Sequence, residues 1–334
     1  MALKILGIAA SFVLALILIF IFVYAPIRAN NLKTSHAKFR ELTQANHDNI
    51  DKKFNHRYQE AGGVLWHYID EGNPKGTVIL FLHGLPEGFY SWKDVMPLID
   101  KKYRLIAIDM KGYGRTTSAD NKNFEWHHVA NQTLALMDAL GIGKFHVVGH
   151  DWGAIISSIM VGDHPDRILS FVRMECDLFS TSNKIATYIK KPQWLIFKNE
   201  WLGNYILSNS RWFINTVYNE KRMKSTLSQP DRDYFIYEFS REDVSNAVCQ
   251  YFLDKNRDLK ALMDKIAYNN FPFPVLQLQA ERDPAQPVEL FEKIPQVCKN
   301  VELKWVKNAG HFSNIDQPQQ VADAINEFVN RVQK

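Results

Sequence analysis

The stretch FHVVGHDWGA, residues 145–154, decides the fold of this 334-residue chain. A mostly apolar run, 145–148, is followed by glycines at positions 149 and 153, and a helical pattern begins at Ala154. This order predicts a buried strand, a tight turn and a helix, with Asp151 inside the turn. Glycines suit such a turn because it is strained and crowded. An ordinary glycine-flanked loop with a helix-capping aspartate would have the same pattern. Other motifs in the chain are therefore needed to distinguish such a loop from a turn that carries a reactive side chain.

Other apolar runs of the same kind predict further strands along the chain. The predicted strands are Val64–Ile69, Thr77–Leu82, Arg104–Ile108, Phe145–Val148, Ile168–Val172, Val275–Leu278 and Val301–Trp305. Helical patterns lie between them, at Trp126–Leu140, Ala154–Val161 and Gln317–Val332. Strands that alternate with helices predict an α/β fold, with a mostly parallel central sheet covered on both faces.

One long segment, residues 177–270, interrupts this alternation. It is rich in aromatic residues, has helical patterns and contains no convincing strand. We interpret it as a helical cap inserted over the carboxyl edge of the sheet, where open α/β sheets bind ligands. The core is then expected in two parts, residues 58–176 and 271–334.

The N-terminus differs from the rest of the chain. No charged residue occurs from Ile5 to Ile27, a length that can cross a bilayer core of about 30 Å as a helix. A cleaved secretory signal is the alternative, but the run exceeds the usual apolar length of such signals and Pro26 would hinder cleavage. We therefore predict a transmembrane anchor at residues 1–29 and a polar linker at 30–57. The heavier basic flank on the C-terminal side of the run favours a single-pass membrane protein whose following domain lies in the cytoplasm.

Composition excludes several other classes of protein. The net charge of +4, from 40 basic and 36 acidic residues, is too small to predict a nucleic-acid partner. The three cysteines form no CxxC pair and no disulfide framework, which fits a reducing compartment. We predict neither a cofactor nor a metal site.

A second motif supports an active role for Asp151. His83-Gly84-Leu85-Pro86-Glu87 directly follows the predicted strand TVILFL. In folds with a strand–turn–helix nucleophile, this loop supplies one amide of the oxyanion hole and the residue after the nucleophile supplies the other. Leu85 and Trp152 are therefore the predicted donors. His83 is a candidate substrate-side residue, although we expect its ring mainly to brace the loop.

An acid and a base should follow the nucleophile along the chain. Asp283 comes after the predicted strand VLQL and His311 comes after VELKWV. Because the carboxyl ends of parallel strands meet at one edge of a sheet, these positions predict a triad of Asp151, Asp283 and His311. Glu175, at the end of the strand before the cap, is the alternative acid.

Together these residues resemble the epoxide hydrolase and haloalkane dehalogenase branch of the α/β-hydrolase family. The resemblance extends over about residues 60–332, and the cap is only loosely similar. It is carried by the motifs HGLPE, DMKGYGRT (109–116), GHDWGA, AERDP and AGHF. The N-terminal anchor resembles that of membrane-bound epoxide hydrolases and implies a lipophilic small-molecule substrate, with water as the second reactant.

An aspartate nucleophile narrows the reaction. Attack of a carboxylate on a carbonyl would give an anhydride, whereas attack on a saturated carbon gives an alkyl ester that acyl chemistry can cleave. In the family that the chain resembles, the nucleophile forms such an ester and the histidine activates water to hydrolyse it. Asp151 and His311 take these roles here, with Asp283 orienting the base.

The leaving group distinguishes epoxide hydrolases from haloalkane dehalogenases. The resemblance implies that an epoxide oxygen is protonated by two cap tyrosines. Tyr251 lies near the second of these positions, although an ungapped match places Phe252 there instead. The first falls near Gln193 and Trp194, where no tyrosine occurs, and Tyr188 is the nearest substitute.

A halide would instead be held by N–H donors, and Trp152 with Trp194 could form a paired-tryptophan site. Leu85 replaces the asparagine that many haloalkane dehalogenases carry, and the arginines of fluoroacetate dehalogenases are missing after Asp151. We therefore favour epoxide hydrolysis, with dehalogenation as the alternative. A non-catalytic homologue that binds lipid or signals is a further alternative, which the intact triad disfavours.

Overall fold

A nine-stranded sheet organises the protein in a computed structural model, which describes residues 40–120, 123–176, 197–207, 210–253, 271–286 and 288–333. The strands are β1 His56–Ala61, β2 Val64–Gly72, β3 Val78–Leu82, β4 Arg104–Ile108, β5 Thr117–Ser118, β6 Phe145–His150, β7 Ile168–Met174, β8 Val275–Ala280 and β9 Val301–Val306. Their order is β1-β2-β4-β3-β6-β7-β8-β9, with β5 paired to β2. Pairing is antiparallel around β2 and parallel from β4 to β9. The predicted mostly parallel sheet is confirmed.

Helices connect and cover the strands. In the described residues they are α1 (40–51), α2 Trp126–Ala139, α3 Trp152–Asp163, α4 Glu200–Leu207, α5 Ser210–Val217, α6 Gln229–Phe239, α7 Glu242–Leu253, α8 Ile294–Val297, α9 Ser313–Asp316 and α10 Pro318–Val332. Every residue of β3 and β6 is buried, which requires both faces of the sheet to be covered. The carboxyl ends of these two central strands carry the His83 loop and the Asp151 turn.

Four helices, α4 to α7, lie in the described part of the predicted cap, and this confirms its helical character. The cap touches the core beside the histidine loop: the amide of His311 donates to the carbonyl oxygen of Arg222 at 2.7 Å. Asp316 accepts hydrogen bonds from the amides of Lys224, Ser225 and Gly310. Asp316 therefore joins a cap loop to the loop that carries His311.

The predicted linker, residues 30–57, contains regular structure in its described part. Helix α1 packs on cap helix α6, where Asn46 donates to Asp233 and His47 contacts Glu238, each at 2.7 Å. Strand β1 begins at His56, and its side chains are alternately half-buried and exposed. Sequence patterns missed this strand because it lies at the sheet edge and is largely polar.

Within the described ranges, no helix combines the length and the apolarity needed to cross a bilayer. The predicted anchor, residues 1–29, lies outside those ranges.

Candidate active site

The strand–turn–helix element around Asp151 forms the centre of the site. Asp151 links β6 to α3 with a backbone φ of 48° and ψ of −113°, a conformation that costs free energy for a non-glycine residue. A β-carbon at position 153 would lie 2.4 Å from the carbonyl oxygen of Leu82, and one at 149 would lie 2.7 Å from that of Gly153. Glycine is therefore required at both positions by backbone contact.

The three predicted triad residues lie together. Nε2 of His311 is 3.3 Å from Oδ2 of Asp151, and Nδ1 of His311 is 2.8 Å from Oδ2 of Asp283. Burial opposes the charged imidazole, but the two carboxylates, Asp283 foremost, raise the pKa of His311 well above its usual value. Burial likewise opposes the ionised Asp151, whose hydrogen bond and ion pair with His311 lower its pKa to about 2. The resting site therefore holds a histidine cation between two carboxylates.

Glu175, the alternative acid, occupies a different position. Its Oε1 accepts the amide of Ala280 at 2.9 Å, and its Oε2 lies 3.5 Å from Nε2 of His150. Burial raises the pKa of Glu175 to about 8, with a further contribution from Asp283. The carboxylate that the structure places against the His311 ring is that of Asp283.

The loop after β3 contacts the nucleophile through its backbone. The amide of Leu85 donates to Oδ1 of Asp151 at 3.2 Å. The His83 ring is fully buried, donates from Nδ1 to the Gly84 carbonyl oxygen at 2.8 Å and accepts the Met110 amide at Nε2 at 2.9 Å. Both ring nitrogens are therefore hydrogen-bonded to the backbone, and the ring braces the loop as we mainly expected. Neither nitrogen is left to bind a substrate.

Two cap residues pack on Trp152, and neither presents a hydroxyl to the nucleophile. Tyr251 is fully buried and donates its only proton to the carbonyl oxygen of Lys111 at 3.0 Å. The Phe252 ring stands edge-on to Trp152 with 4.7 Å between centroids. The predicted role of Tyr251 as proton donor would therefore require its hydroxyl to turn from the Lys111 carbonyl oxygen to the leaving group.

The remaining predicted substrate residues, Tyr188, Gln193 and Trp194, lie outside the described residues.

An ion pair beneath the site was not predicted. Nδ1 of His150 lies 2.7 Å from Oε2 of Glu87, and Nε2 lies 2.8 Å from the carbonyl oxygen of His311. Both atoms facing the ring are acceptors, so the ring must carry two protons. Burial opposes this charge, yet Glu87 raises the pKa of His150 to about 9. The sequence did contain a signal for this pair, because Glu87 belongs to the motif HGLPE and His150 to the motif GHDWG. That the two side chains are in contact is shown only by the fold.

A crevice opens between cap helix α6 and the core loops beside the triad. Its lining includes Glu87, Tyr113, Tyr234, Glu238 and Phe239, while Asp151 and His311 lie next to it rather than in its wall. The candidate active site is therefore assigned from the contacts among Asp151, His311 and Asp283 and not from the crevice. In the described part of the chain, no cluster of three or more His, Cys, Asp or Glu residues is arranged to bind a metal ion.

Comparison with known proteins agrees with this architecture. Residues 77–318 match the family described as alpha/beta hydrolase fold. The chain is 38% identical over 313 residues to epoxide hydrolase 3 of Siraitia grosvenorii, covering 81% of this chain and 96% of that protein. It is 24% identical over 283 residues to human epoxide hydrolase 4, covering 80% and 75% of the two chains. The solved structure of epoxide hydrolase CorEH without ligand aligns with a TM-score of 0.73 at 22% identity, over 84% of this chain and 99% of that one.

The fold, the elbow and the family match define the class of protein: the chain belongs to the α/β-hydrolase family and is a hydrolase. Within this family it is similar to proteins that are named epoxide hydrolases.

Proposed function

We propose that the protein hydrolyses epoxides to vicinal diols, with Asp151 as the nucleophile. The observation that carries this proposal is the carboxylate of Asp151 at the elbow, in contact with the Leu85 amide and with Nε2 of His311. A carboxylate in this position is suited to displacement at a saturated carbon, because the resulting ester can be cleaved by water. The similarity to proteins named epoxide hydrolases supports an epoxide as the electrophile.

The reaction has two half-reactions in this proposal. First, an Asp151 oxygen attacks an epoxide carbon, the carbon–oxygen bond breaks, and an ester forms. Second, His311 takes a proton from water, which attacks the Asp151 carboxyl carbon. The amides of Leu85 and Trp152 hold the oxyanion that forms at that carbon. The diol then leaves and Asp151 is regenerated.

The resting charge of His311 explains how one histidine serves this order of events. While Asp151 is ionised, it is one of two carboxylates that keep His311 protonated. Formation of the ester removes that negative charge, so the pKa of His311 falls towards the range of a general base. Asp283 retains its bond to Nδ1 and fixes the orientation of the ring. The base is therefore released when the ester is ready for hydrolysis.

Haloalkane dehalogenation is the second candidate, and one observation favours it. The Tyr251 hydroxyl donates a hydrogen bond to the Lys111 carbonyl oxygen, and Phe252, which packs against Trp152, occupies a position where the sequence resemblance implies a tyrosine. A halide leaves without a proton and does not need either hydroxyl.

A panel of epoxides and bromoalkanes tests the proposal. Diol formation from epoxides, without bromide release, is the expected result. Bromide release without diol would make the protein a dehalogenase. If neither diol nor bromide forms, and intact-mass spectrometry of the His311→Gln variant detects no covalent adduct on Asp151 with any substrate, the non-catalytic lipid-binding interpretation would replace both.

We also propose that residues 1–29 anchor the enzyme in a membrane with its catalytic domain on the cytoplasmic side. The support is the uncharged run from Ile5 to Ile27 and the basic residues that follow it. Such an anchor would keep the active site near a lipid bilayer in which lipophilic epoxides collect.

A further inference from the structure

Tyr113 is a buried tyrosine whose hydroxyl meets no hydrogen-bonding group of the described residues. The residue lies in the loop after β4 and is fully buried. Within the described ranges its hydroxyl has no hydrogen-bond partner, whereas most buried side-chain polar atoms in proteins have one. Leaving such a group unbonded destabilises the folded protein, and phenylalanine would fill the same space without that cost. The hydroxyl therefore calls for an explanation other than stability.

Tyr113 stands between the two structures that flank the nucleophile. Its ring centroid is 5.1 Å from that of His83, which braces the oxyanion loop, and 5.9 Å from that of Tyr251, which packs on Trp152. Tyr113 also lines the crevice between the cap and the core. The negative charge of Asp151 raises the pKa of Tyr113, so the two side chains interact electrostatically.

Two other buried tyrosines near the site lack this combination of features. Tyr251 donates its proton to the Lys111 carbonyl oxygen. The Tyr218 hydroxyl is also unbonded, but its ring is stacked on Phe235 and tilted against Phe312, and it is not part of the crevice wall. Among these three tyrosines, only Tyr113 combines an unbonded hydroxyl with a place in the crevice.

We propose that Tyr113 is the general acid that protonates the epoxide oxygen as Asp151 opens the ring. This role rests on the function proposed above, because a halide would not need it. It assigns to a loop of the core a task that the sequence resemblance gives to tyrosines of the cap.

The protons balance over one turnover. In ring opening, Asp151 forms a bond to carbon, the carbon–oxygen bond breaks, and the Tyr113 proton passes to the departing oxygen. The pKa of His311 falls when the ester forms, so His311 gives up its resting proton, and that proton restores the Tyr113 phenolate to a hydroxyl. His311 is then neutral: in hydrolysis it takes one proton from water and gives it to the ester oxygen as the diol leaves. The second proton of that water remains on Asp151 as a carboxylic acid and passes to His311, so that Asp151, His311 and Tyr113 all regain their starting forms.

The charges of the site favour this sequence. Burial raises the pKa of Tyr113 well above 10, and neighbouring Tyr251 and Asp151 raise it further. The resting tyrosine is therefore protonated. Ester formation removes the negative charge of Asp151, so the Tyr113 hydroxyl becomes more acidic in the step in which it gives up its proton.

Single-turnover alkylation by styrene oxide, followed by intact-mass spectrometry of the full chain, tests the role. Tyr113→Phe should slow alkylation about 10²–10⁴-fold without lowering Tm, because no hydrogen bond is lost. Tyr251→Phe is the matched control. It removes a bonded hydroxyl and should lower Tm by about 2–4 °C while alkylation stays within about threefold of wild type. Tyr218→Phe should leave the alkylation rate unchanged.

The outcomes separate this role from the proposed function. A Tyr113→Phe protein with near-normal alkylation, or a rate loss in Tyr218→Phe or Tyr251→Phe instead, would overturn the role and leave epoxide hydrolysis standing. A wild-type protein that opens no epoxide would overturn both. If Tyr113→Phe fails to fold, 3-fluorotyrosine at position 113 keeps the hydroxyl and lowers the pKa of the phenol. It should change the alkylation rate at least about twofold, and an unchanged rate would overturn the role.

Discussion

His150 and Glu87 form a salt bridge of 2.7 Å in which neither side chain is exposed to solvent. His150 directly precedes the nucleophile, and Glu87 also accepts the Gly84 amide at 2.6 Å. The other nitrogen of His150 donates to the backbone of His311. One buried ion pair therefore connects the elbow, the oxyanion loop and the histidine loop, and so fixes the relative positions of the groups that react.

This pair predicts how stability depends on pH. The folded-state pKa of His150 is raised from 6.5 to about 9. The stability that its protonation contributes is therefore complete below about pH 6.5 and is lost as pH rises through about 9. Glu87→Gln should lower the unfolding free energy at pH 7 by about 3–5 kcal/mol, because a buried cation loses its partner. Urea unfolding between pH 6 and 9.5 measures both effects. Glu327→Gln, which alters an exposed ion pair with Lys304, is the control. It should change neither the free energy of unfolding at pH 7 nor its dependence on pH.

Replacing the proposed base should separate the two half-reactions. His311→Gln leaves Asp151 free to attack but provides no base for water, so the ester should accumulate. Intact-mass spectrometry after incubation with styrene oxide should show one substrate mass added to each protein molecule. Asp151→Asn should show no added mass. Steady turnover by His311→Gln at the wild-type rate would refute its assignment as the base.

Helix α1 should influence the substrate site although it precedes the core in sequence. Asp51 contacts Arg115 and accepts the Tyr234 hydroxyl at 3.2 Å, and Tyr234 lines the crevice. Asp51→Asn should lower stability by about 1–3 kcal/mol and also change KM at least about fivefold, because the cap helix loses a support.

Asp70→Asn is the matched control for this prediction. It breaks a similarly buried pair with Arg104, at the sheet edge away from the cap. Asp70→Asn should lower the free energy of unfolding about as much as Asp51→Asn does, while KM stays unchanged. Equal changes of KM in the two variants would show that α1 acts on stability alone.

Gly310 should be the glycine most sensitive to a single methyl group near His311. A β-carbon there would lie 2.1 Å from the carbonyl oxygen of Arg222, the atom that accepts the His311 amide. Gly310→Ala should therefore displace the cap loop and His311, the proposed base, together. It should lower the free energy of unfolding by about 1–3 kcal/mol and kcat by at least about tenfold. Thermal unfolding and steady-state kinetics measure the two effects. Gly143→Ala meets no atom within 4 Å and should behave as wild type, so equal effects in both variants would contradict the proposed contact.

The N-terminal anchor makes a separate prediction. The full chain should remain with membranes after washing at high salt and at alkaline pH, and removal of residues 1–28 should release an active enzyme, since α1 and every catalytic motif follow that point. Recovery of the unprocessed full chain in the soluble fraction would contradict the anchor.

The mostly parallel architecture of the core, and the positions of the residues that we propose as the triad, could be predicted from the sequence alone. The run Val78–Leu82 is apolar throughout and the run Phe145–Val148 is mostly apolar, because both faces of the central strands are buried, and this pattern can be read from the sequence alone. The glycines around Asp151 indicate the tight turn after a strand. Asp283 and His311 follow Asp151 in the order expected for the acid and the base of this fold. Local patterns were sufficient because the carboxyl ends of parallel strands necessarily meet at one edge.

Only the tertiary structure decided which partner each polar group has. The sequence left the acid open between Asp283 and Glu175, and it placed the Tyr251 hydroxyl in the reaction; the fold puts Asp283 on His311 and the Tyr251 hydroxyl on the Lys111 carbonyl oxygen. Helix α1, predicted as part of a linker, packs on the cap through contacts with residues nearly 190 positions away. Hydrogen bonds and ion pairs join groups that are distant in sequence, and a side chain has no preference for one such partner until packing brings the two together.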